Sequence, residues 1–303
     1  MEYVIQTKNL CRNFGAVKAV NNLNLNVPKG SVYGFLGPNG AGKTTTIKML
    51  LGLTKPSSGT ITVLGQPAPS KNYLHKIGFL PDVPNYYSWM RGDEFLTFAG
   101  RLFAIPEREL AKRRDELLEI TGLKGVRTKI GGYSRGMKQR LGLAQALINK
   151  PEVVFMDEPT SALDPIGRKE ILETISIISE RCTVFFSTHI LTDVERVCNR
   201  VGILNHGELI REDSLADLQQ DYASNAFRLG VTGDPAPFVQ ELRTKAWVED
   251  VQAENGTLLL TAFDIKAAQH EIPSLLSKHG LGLNKMEQVE MTLEDIFVRL
   301  VKQ

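Results

Sequence analysis

The segment Gly37-Pro38-Asn39-Gly40-Ala41-Gly42-Lys43-Thr44 constrains this chain more than any other feature. It fits G-x-x-x-x-G-K-[ST], the pattern of a loop whose exposed backbone N–H groups wrap a nucleotide's phosphates. Glycine is needed because a phosphate cannot approach those groups past Cβ atoms, and because several positions require φ > 0. Lys43 is placed to reach the β/γ-phosphates, and the Thr44 hydroxyl to ligate Mg²⁺. An apolar run over 32–36 precedes the loop as a buried strand does. Thr45-Thr46-Ile47-Lys48-Met49-Leu50-Leu51 follows as a helix, whose N-terminus adds a dipole favourable to phosphate. The pattern predicts a chain that binds a nucleoside triphosphate.

The remaining composition narrows the setting. A length of 303 residues suits about two domains. With 42% hydrophobic and 23% charged residues, the chain reads as an ordinary globular protein. A net charge of +2 gives no reason to invoke nucleic acid. Cys11, Cys182 and Cys198 form no C-x-x-C motif and read as buried thiols in a reducing cytoplasm. No run approaches the ~18 apolar residues of a membrane helix, and the start lacks the regions of a signal peptide. Any action at a membrane is therefore expected to rest on another chain.

Along the chain, alternation predicts strands over 3–7 and 23–27, and a turn then a strand over 57–65. Helical periodicity over 94–104 and 107–120 predicts a helical insertion within 84–129. Val153-Val154-Phe155-Met156 and Thr183-Val184-Phe185-Phe186 are short and continuously apolar, as strands covered on both faces are. A helix over 167–179 completes a βαβ crossover between them. A hairpin closes this part around Asn205-His206-Gly207. Beyond Asp221, strands over 226–231, 247–253, 257–263 and 281–289, with helices over 237–244 and 265–278 and a turn at Asn255-Gly256, give the order β-α-β-β-α-β of ferredoxin-like domains. A last helix starts at Thr292, with Thr292 and Asp295 as a capping-box-like pair.

Asp157-Glu158 stands where the strand over 153–156 ends. Ligands in open α/β sheets lie at the carboxyl ends of strands, which brings both acids beside the glycine-rich loop. Asp157 there can hold the Mg²⁺ shell, and Glu158 can orient and polarise an attacking water.

At this point the residues resemble a known family. Phe155-Met156-Asp157-Glu158-Pro159-Thr160-Ser161-Ala162-Leu163-Asp164-Pro165 is similar to the Walker B and D-loop block of ATP-binding-cassette (ABC) ATPases. His189 matches their switch histidine, and Tyr133-Ser134-Arg135-Gly136-Met137 occupies the place of their signature motif. Ile77-Gly78-Phe79-Leu80-Pro81-Asp82 occupies the Q-loop, and Phe14 the place of the aromatic that stacks on adenine. The resemblance spans about residues 2–220 in unbroken motif order. Two places depart from the pattern. The signature is usually Leu-Ser-Gly-Gly-Gln, of which only Ser134 and Gly136 remain; they keep a hydroxyl and a backbone N–H at a helix N-terminus, both suited to a γ-phosphate. Asp82 replaces the Q-loop glutamine, keeping an oxygen near Mg²⁺ or water while adding charge.

The resemblance implies an α/β P-loop core with an antiparallel β subdomain and a helical subdomain (about 84–145) over residues 1–220, then a small α+β ferredoxin-like domain over 221–303. It implies ATP and Mg²⁺ as ligands, with Gly37 to Thr45, Phe14, Ser134 and Gly136 on the nucleotide. Thr44, Asp157 and Asp82 are the metal candidates, and Glu158, His189, Lys43 and Asp82 the catalytic ones. The ending Met291-Thr292-Leu293-Glu294-Asp295-Ile296-Phe297-Val298-Arg299-Leu300 is similar to that of ATPase subunits of ABC-2-type exporters. Such subunits pair, as homodimers or with a second ATPase, on the cytoplasmic face of separately encoded permease subunits. The alternatives are a soluble ABC ATPase acting on nucleic acid or ribosomes, and a non-hydrolysing regulatory module. A single cassette, no long heptad run and no strong positive charge disfavour the first.

Overall fold

The computed structural model describes residues 2–221, 226–254, 257–289 and 292–302; the Asn255-Gly256 turn lies outside the described residues. The chain divides into two compact units, the first running to Leu215 and the second spanning Ala216–Lys302.

In the first unit, β1 (Tyr3–Phe14) pairs antiparallel with β2 (Val17–Leu23), β3 (Asn26–Pro28) and β5 (Ser58–Val63), and β6 (Gln66–Pro67) extends the sheet beyond β5. β1 is longer than the alternation over 3–7 suggests, because ladders on both sides carry it through its polar stretch. The single strand expected over 23–27 is broken at Asn24-Leu25. The buried Thr7 hydroxyl donates to Leu23 O at 2.8 Å and accepts the Leu25 N–H at 2.9 Å. It takes bonds that a continuous ladder would have used, so the chain bends there and starts a new pairing.

The central sheet has the order β11-β10-β4-β9-β8-β7. It comprises β4 (Val32–Leu36), β7 (Ile77–Leu80), β8 (Val153–Asp157), β9 (Thr183–Thr188), β10 (Arg200–Asn205) and β11 (Glu208–Ser214). All pairings are parallel except the β10–β11 hairpin. Every residue of β4, β8 and β9 is buried, which is why these strands are apolar without alternation. Phe185 stacks on Tyr33 at 5.4 Å between centroids and touches Phe35 and Phe155. Truncating such a ring to Ala costs about 3–5 kcal/mol. The connecting helices are α1 (Lys43–Leu50), the short α2 (Lys71–Leu74), α6 (Pro165–Ser179) and α7 (Leu191–Val197).

Three helices form the insertion: α3 (Gly92–Leu102), α4 (Glu107–Ile120) and α5 (Arg135–Ala146). α3 lies two residues earlier than its periodicity suggests. The Glu94 carboxylate accepts the Arg91 N–H at 2.8 Å and starts the helix there, and Ala104, at φ 55°, cannot continue it.

The second unit begins within α8 (Leu215–Asp221), whose first residue closes the first unit. It runs β12 (Ala226–Thr232), α9 (Ala236–Leu242), β13 (Val248–Glu254), β14 (Thr257–Ala262), α10 (Ile265–Lys278), β15 (Gly282–Val289) and α11 (Leu293–Lys302). The antiparallel order β13-β14-β12-β15 is the ferredoxin-like arrangement. Phe227, Leu229, Phe238, Leu260 and Ile272 fill its core. Thr292 and Asp295 cap α11: the Asp295 carboxylate accepts the Thr292 N–H at 3.1 Å, and Thr292 Oγ1 accepts the Asp295 N–H at 3.2 Å.

Candidate functional site

β9 lies between β4 and β8, with Leu36 opposite Thr188 and Asp157 opposite Ser187. The three segments leaving these strands therefore begin at one level: the loop from Gly37, Glu158 after β8, and His189 after β9. Chain crossovers place ligands at this carboxyl edge.

The loop needs its glycines. Gly42, at φ 104°, is the N-cap of α1, and a Cβ there would lie 2.3 Å from Ala19 O. At Gly37 a Cβ would lie 2.4 Å from Leu204 O. Lys43 is only 6% exposed, and its ammonium donates to Gly37 O at 2.7 Å and Pro38 O at 3.2 Å. It also lies 3.3 Å from Glu158 Oε1. The second Glu158 oxygen is 2.8 Å from His189 Nδ1. Buried Asp157 accepts on Oδ1 from Ser187 Oγ at 2.6 Å and from Thr44 Oγ1 at 3.1 Å. Glu158 sits at φ 48°, left-handed backbone that costs a non-glycine residue about 1–3 kcal/mol. Its N–H donates to Ser187 O at 3.1 Å, so the bend that turns its carboxylate toward Lys43 is tied to β9.

Beside them lies a cavity of about 400 Å³ whose walls include Asn39 to Thr45, Ala19, Asp82, Glu158, Ser161 and His189. A cavity of about 890 Å³ beside α3 is larger. It has no glycine-rich loop, whereas one lines the smaller cavity.

The segment after Glu158 is anchored to the segment after His189. Thr160 Oγ1 donates to Asp193 Oδ2 at 2.5 Å, and Arg168 Nε to Asp193 Oδ1 at 2.6 Å. Asp193 is fully buried, and Arg168 also donates to Thr192 Oγ1. A charge buried with both oxygens bonded fixes position more than it adds stability.

The two departures from the family pattern face each other. Arg135 lies 3.7 Å from Asp82 Oδ1 and donates to Ser161 Oγ at 3.5 Å. Buried Gln139, one turn along α5, donates from Nε2 to Asp82 O at 3.0 Å. The charge at Asp82 is thus met by a cation where the usual signature has glycine.

Lys43, Thr44, Asp82, Glu158, His189 and the loop from Asn39 to Thr45 are brought together, with Asp157 bonded to Thr44. Phe14, Gly37, Pro38, Ser134, Gly136 and Asp157 do not line the cavity. Phe14 is half exposed, with the Arg12 guanidinium 4.4 Å from its ring centroid. Ser134 caps α5, its Oγ accepting the Met137 N–H at 3.2 Å. Sequence reasoning passed over Ser187, Ser161 and the Ala19 carbonyl. The polar pair Ser187-Thr188, closing a strand with an apolar centre, was the available signal for Ser187.

Among the described residues, no cluster of three or more His, Cys, Asp and Glu is arranged to hold a metal. A carboxylate bonded to a hydroxyl fits an ion that completes its shell with phosphate and water, as Mg²⁺ does. A glycine loop at a helix N-terminus, set against the ends of two parallel strands, is the nucleotide site of P-loop hydrolases.

Comparison with known proteins refines that class. The ABC transporter family pattern matches residues 20–161, and the C-terminal domain of DrrA1-3-like ATP-binding proteins matches 214–301. The chain is 40% identical to the uncharacterized ABC transporter ATP-binding protein YxlF of Bacillus subtilis (strain 168), over 98% of this chain and 99% of that one. It is 38% identical to the bacitracin transport ATP-binding protein BcrA of Bacillus licheniformis, over 99% and 98%. The dimeric, post-hydrolysis ATP-binding cassette MJ0796 bound to ADP and Pi superposes with a TM-score of 0.62 at 27% identity, over 70% of this chain and 98% of that one. The chain belongs to the ATP-binding proteins of ABC transporters and is an ATPase. Among the described residues, no helix is long and apolar enough to cross a membrane.

Proposed function

We propose that this chain is the ATP-hydrolysing subunit of an ABC exporter, working as a pair of cassettes on the cytoplasmic face of separately encoded permease subunits. Each ATP is held by the loop of one copy, from Gly37 to Thr45, and by Ser134 and Gly136 of the other. The observation that carries this reading is the Glu158 carboxylate, held between Lys43 and His189 at the wall of the phosphate cavity. Ser134 and Gly136 lie outside that cavity, which suits groups that serve the nucleotide of a second copy.

Glu158 orients the attacking water and polarises it. His189 holds the Glu158 carboxylate and faces the γ-phosphate, while Lys43 balances its charge. Thr44 and Asp157 would hold Mg²⁺, with Asp82 close by, and the ion would supply charge neutralisation across the β- and γ-phosphates. Phe14 is the adenine-stacking candidate. ATP binding closes the pair; loss of the γ-phosphate removes the group that bridges it, and the pair reopens.

An exposed apolar face supports the permease contact. Trp89 is 65% and Leu102 73% exposed, and Tyr87 packs against Trp89 and Phe98. Patches of this kind mark protein interaction sites, and this one begins a few residues after Asp82. The substrate belongs to the permease. The BcrA name, bacitracin transport, favours export of drugs or peptides.

Glu158→Gln tests the reading. It keeps size and an acceptor oxygen but loses the charge, so turnover should fall by at least ~10². With ATP the variant should elute at doubled mass, while the parent stays mostly monomeric. Unchanged turnover would remove Glu158 from catalysis, and a variant that stays monomeric with ATP would sink the paired-cassette model.

A further inference from the structure

A third cavity lies at the opposite edge of the central sheet from the ATP site. It occupies about 300 Å³ between α4, the α5–β8 connection and the end of α6, at the low end of the range for small-molecule sites. Its walls are apolar: Leu117, Ile120, Leu147, Pro151, Ile177 and Ile178. Cys182 adds to them, because burial pushes its thiol up to about 11 and keeps it neutral.

The polar lining is cationic: Arg113, Lys150 and Arg181. Lys150 donates to Glu109 Oε1 at 2.5 Å. The two guanidiniums share one carboxylate, Arg181 donating to Glu116 Oε1 at 2.6 Å and Arg113 to Glu116 Oε2 at 3.1 Å. Those hydrogen bonds, Arg181's first, hold Glu116 below the usual carboxylate range and ionised. Three cations therefore face two carboxylates. Arg113 also donates from Nη2 to Leu147 O at 2.9 Å, yet its Nε is buried without a partner. A buried N–H left unpaired is costly, so Arg113 is held in place at the expense of one donor.

We propose that this cavity binds a short-chain organic carboxylate, its hydrocarbon between α4 and α6 and its anion on Arg113 and Arg181. One surplus positive charge matches a monoanion. None of these residues lines the ATP cavity, while the strands β8 and β9 run from this edge to Asp157 and Thr188 beside the phosphates.

Calorimetric titration of the full chain with octanoate and with uncharged octanol tests this. Saturable binding of one octanoate per chain is expected, with octanol at least about tenfold weaker, the value of a charge-assisted contact. Arg181→Met should weaken octanoate by a similar factor, and Ile177→Trp should block the mouth. Arg181 is 56% and Ile177 44% exposed, so melting temperatures should stay near the parent's. Absence of saturable binding, equal affinity for octanol, or octanoate binding that both variants leave unchanged would overturn the proposal.

Discussion

Glu158 and His189 meet through a 2.8 Å contact between Oε2 and Nδ1, although they follow different strands, 31 residues apart in sequence. Adjacent parallel strands ending in register bring them together. With Lys43 on the other oxygen at 3.3 Å, the carboxylate is oriented from both sides. Replacing His189 by Gln should leave ATP affinity near the parent's and lower turnover by ~10²–10⁴, the span of a positioned general-base contribution. Measured nucleotide binding and steady-state hydrolysis decide it; a matching loss of affinity would mean that His189 only supports the loop.

The Lys43–Glu158 ion pair competes with phosphate for the same ammonium. Lys43→Ala should weaken ATP binding by about one to two orders of magnitude, since a charge-assisted contact is worth roughly 1.5–3 kcal/mol. Glu158→Gln should act in the opposite sense and tighten ATP binding severalfold, because it removes a competing negative charge. Fluorescent-nucleotide titration reads both, and an equal loss of affinity in the two variants would contradict this account.

Asp82 and Arg135 form a half-exposed pair, so it adds little to stability, about 0–1 kcal/mol. Its expected role is to hold the segment after β7 against the start of α5. Asp82→Asn and Arg135→Gln should each lower turnover, and the double variant should be no worse than the weaker single. Additive losses in this double-mutant cycle would show that the two act independently.

Glu212 carries a pH dependence unrelated to catalysis. Burial raises its pKa, partly offset by the Asn26 N–H and the Tyr33 hydroxyl, which both donate to Oε1. In the unfolded chain it ionises near the ordinary value of about 4.3. The folded state then holds the proton over a window above that value, so stability falls as pH rises through the window. Glu212→Gln keeps the acceptor oxygen and removes the ionisation. Its melting temperature should match or exceed the parent's at neutral pH, and the gap should close below pH ~4. A variant destabilised equally at both pH values would refute the argument.

Much of the molecule was legible because its signals are local. A phosphate loop is one short stretch of backbone, so eight residues announce it. Doubly covered strands must be apolar throughout, so β8 and β9 stand out, and Glu158 declares itself by following β8. The β-α-β-β-α-β order beyond Asp221 is readable from periodicity. The bend at Asn24-Leu25 was not, since it depends on a Thr7 hydroxyl reached across the sheet. Nor was the Arg135–Asp82 pairing, or the tie of Thr160 and Arg168 to buried Asp193. The cavity between α4 and α6 left no trace in any one segment. Sequence by itself determined the elements whose physics is contained within a turn or a strand. Tertiary structure alone decided which distant charges share a carboxylate, because desolvation and pairing depend on neighbours the chain brings together only when folded.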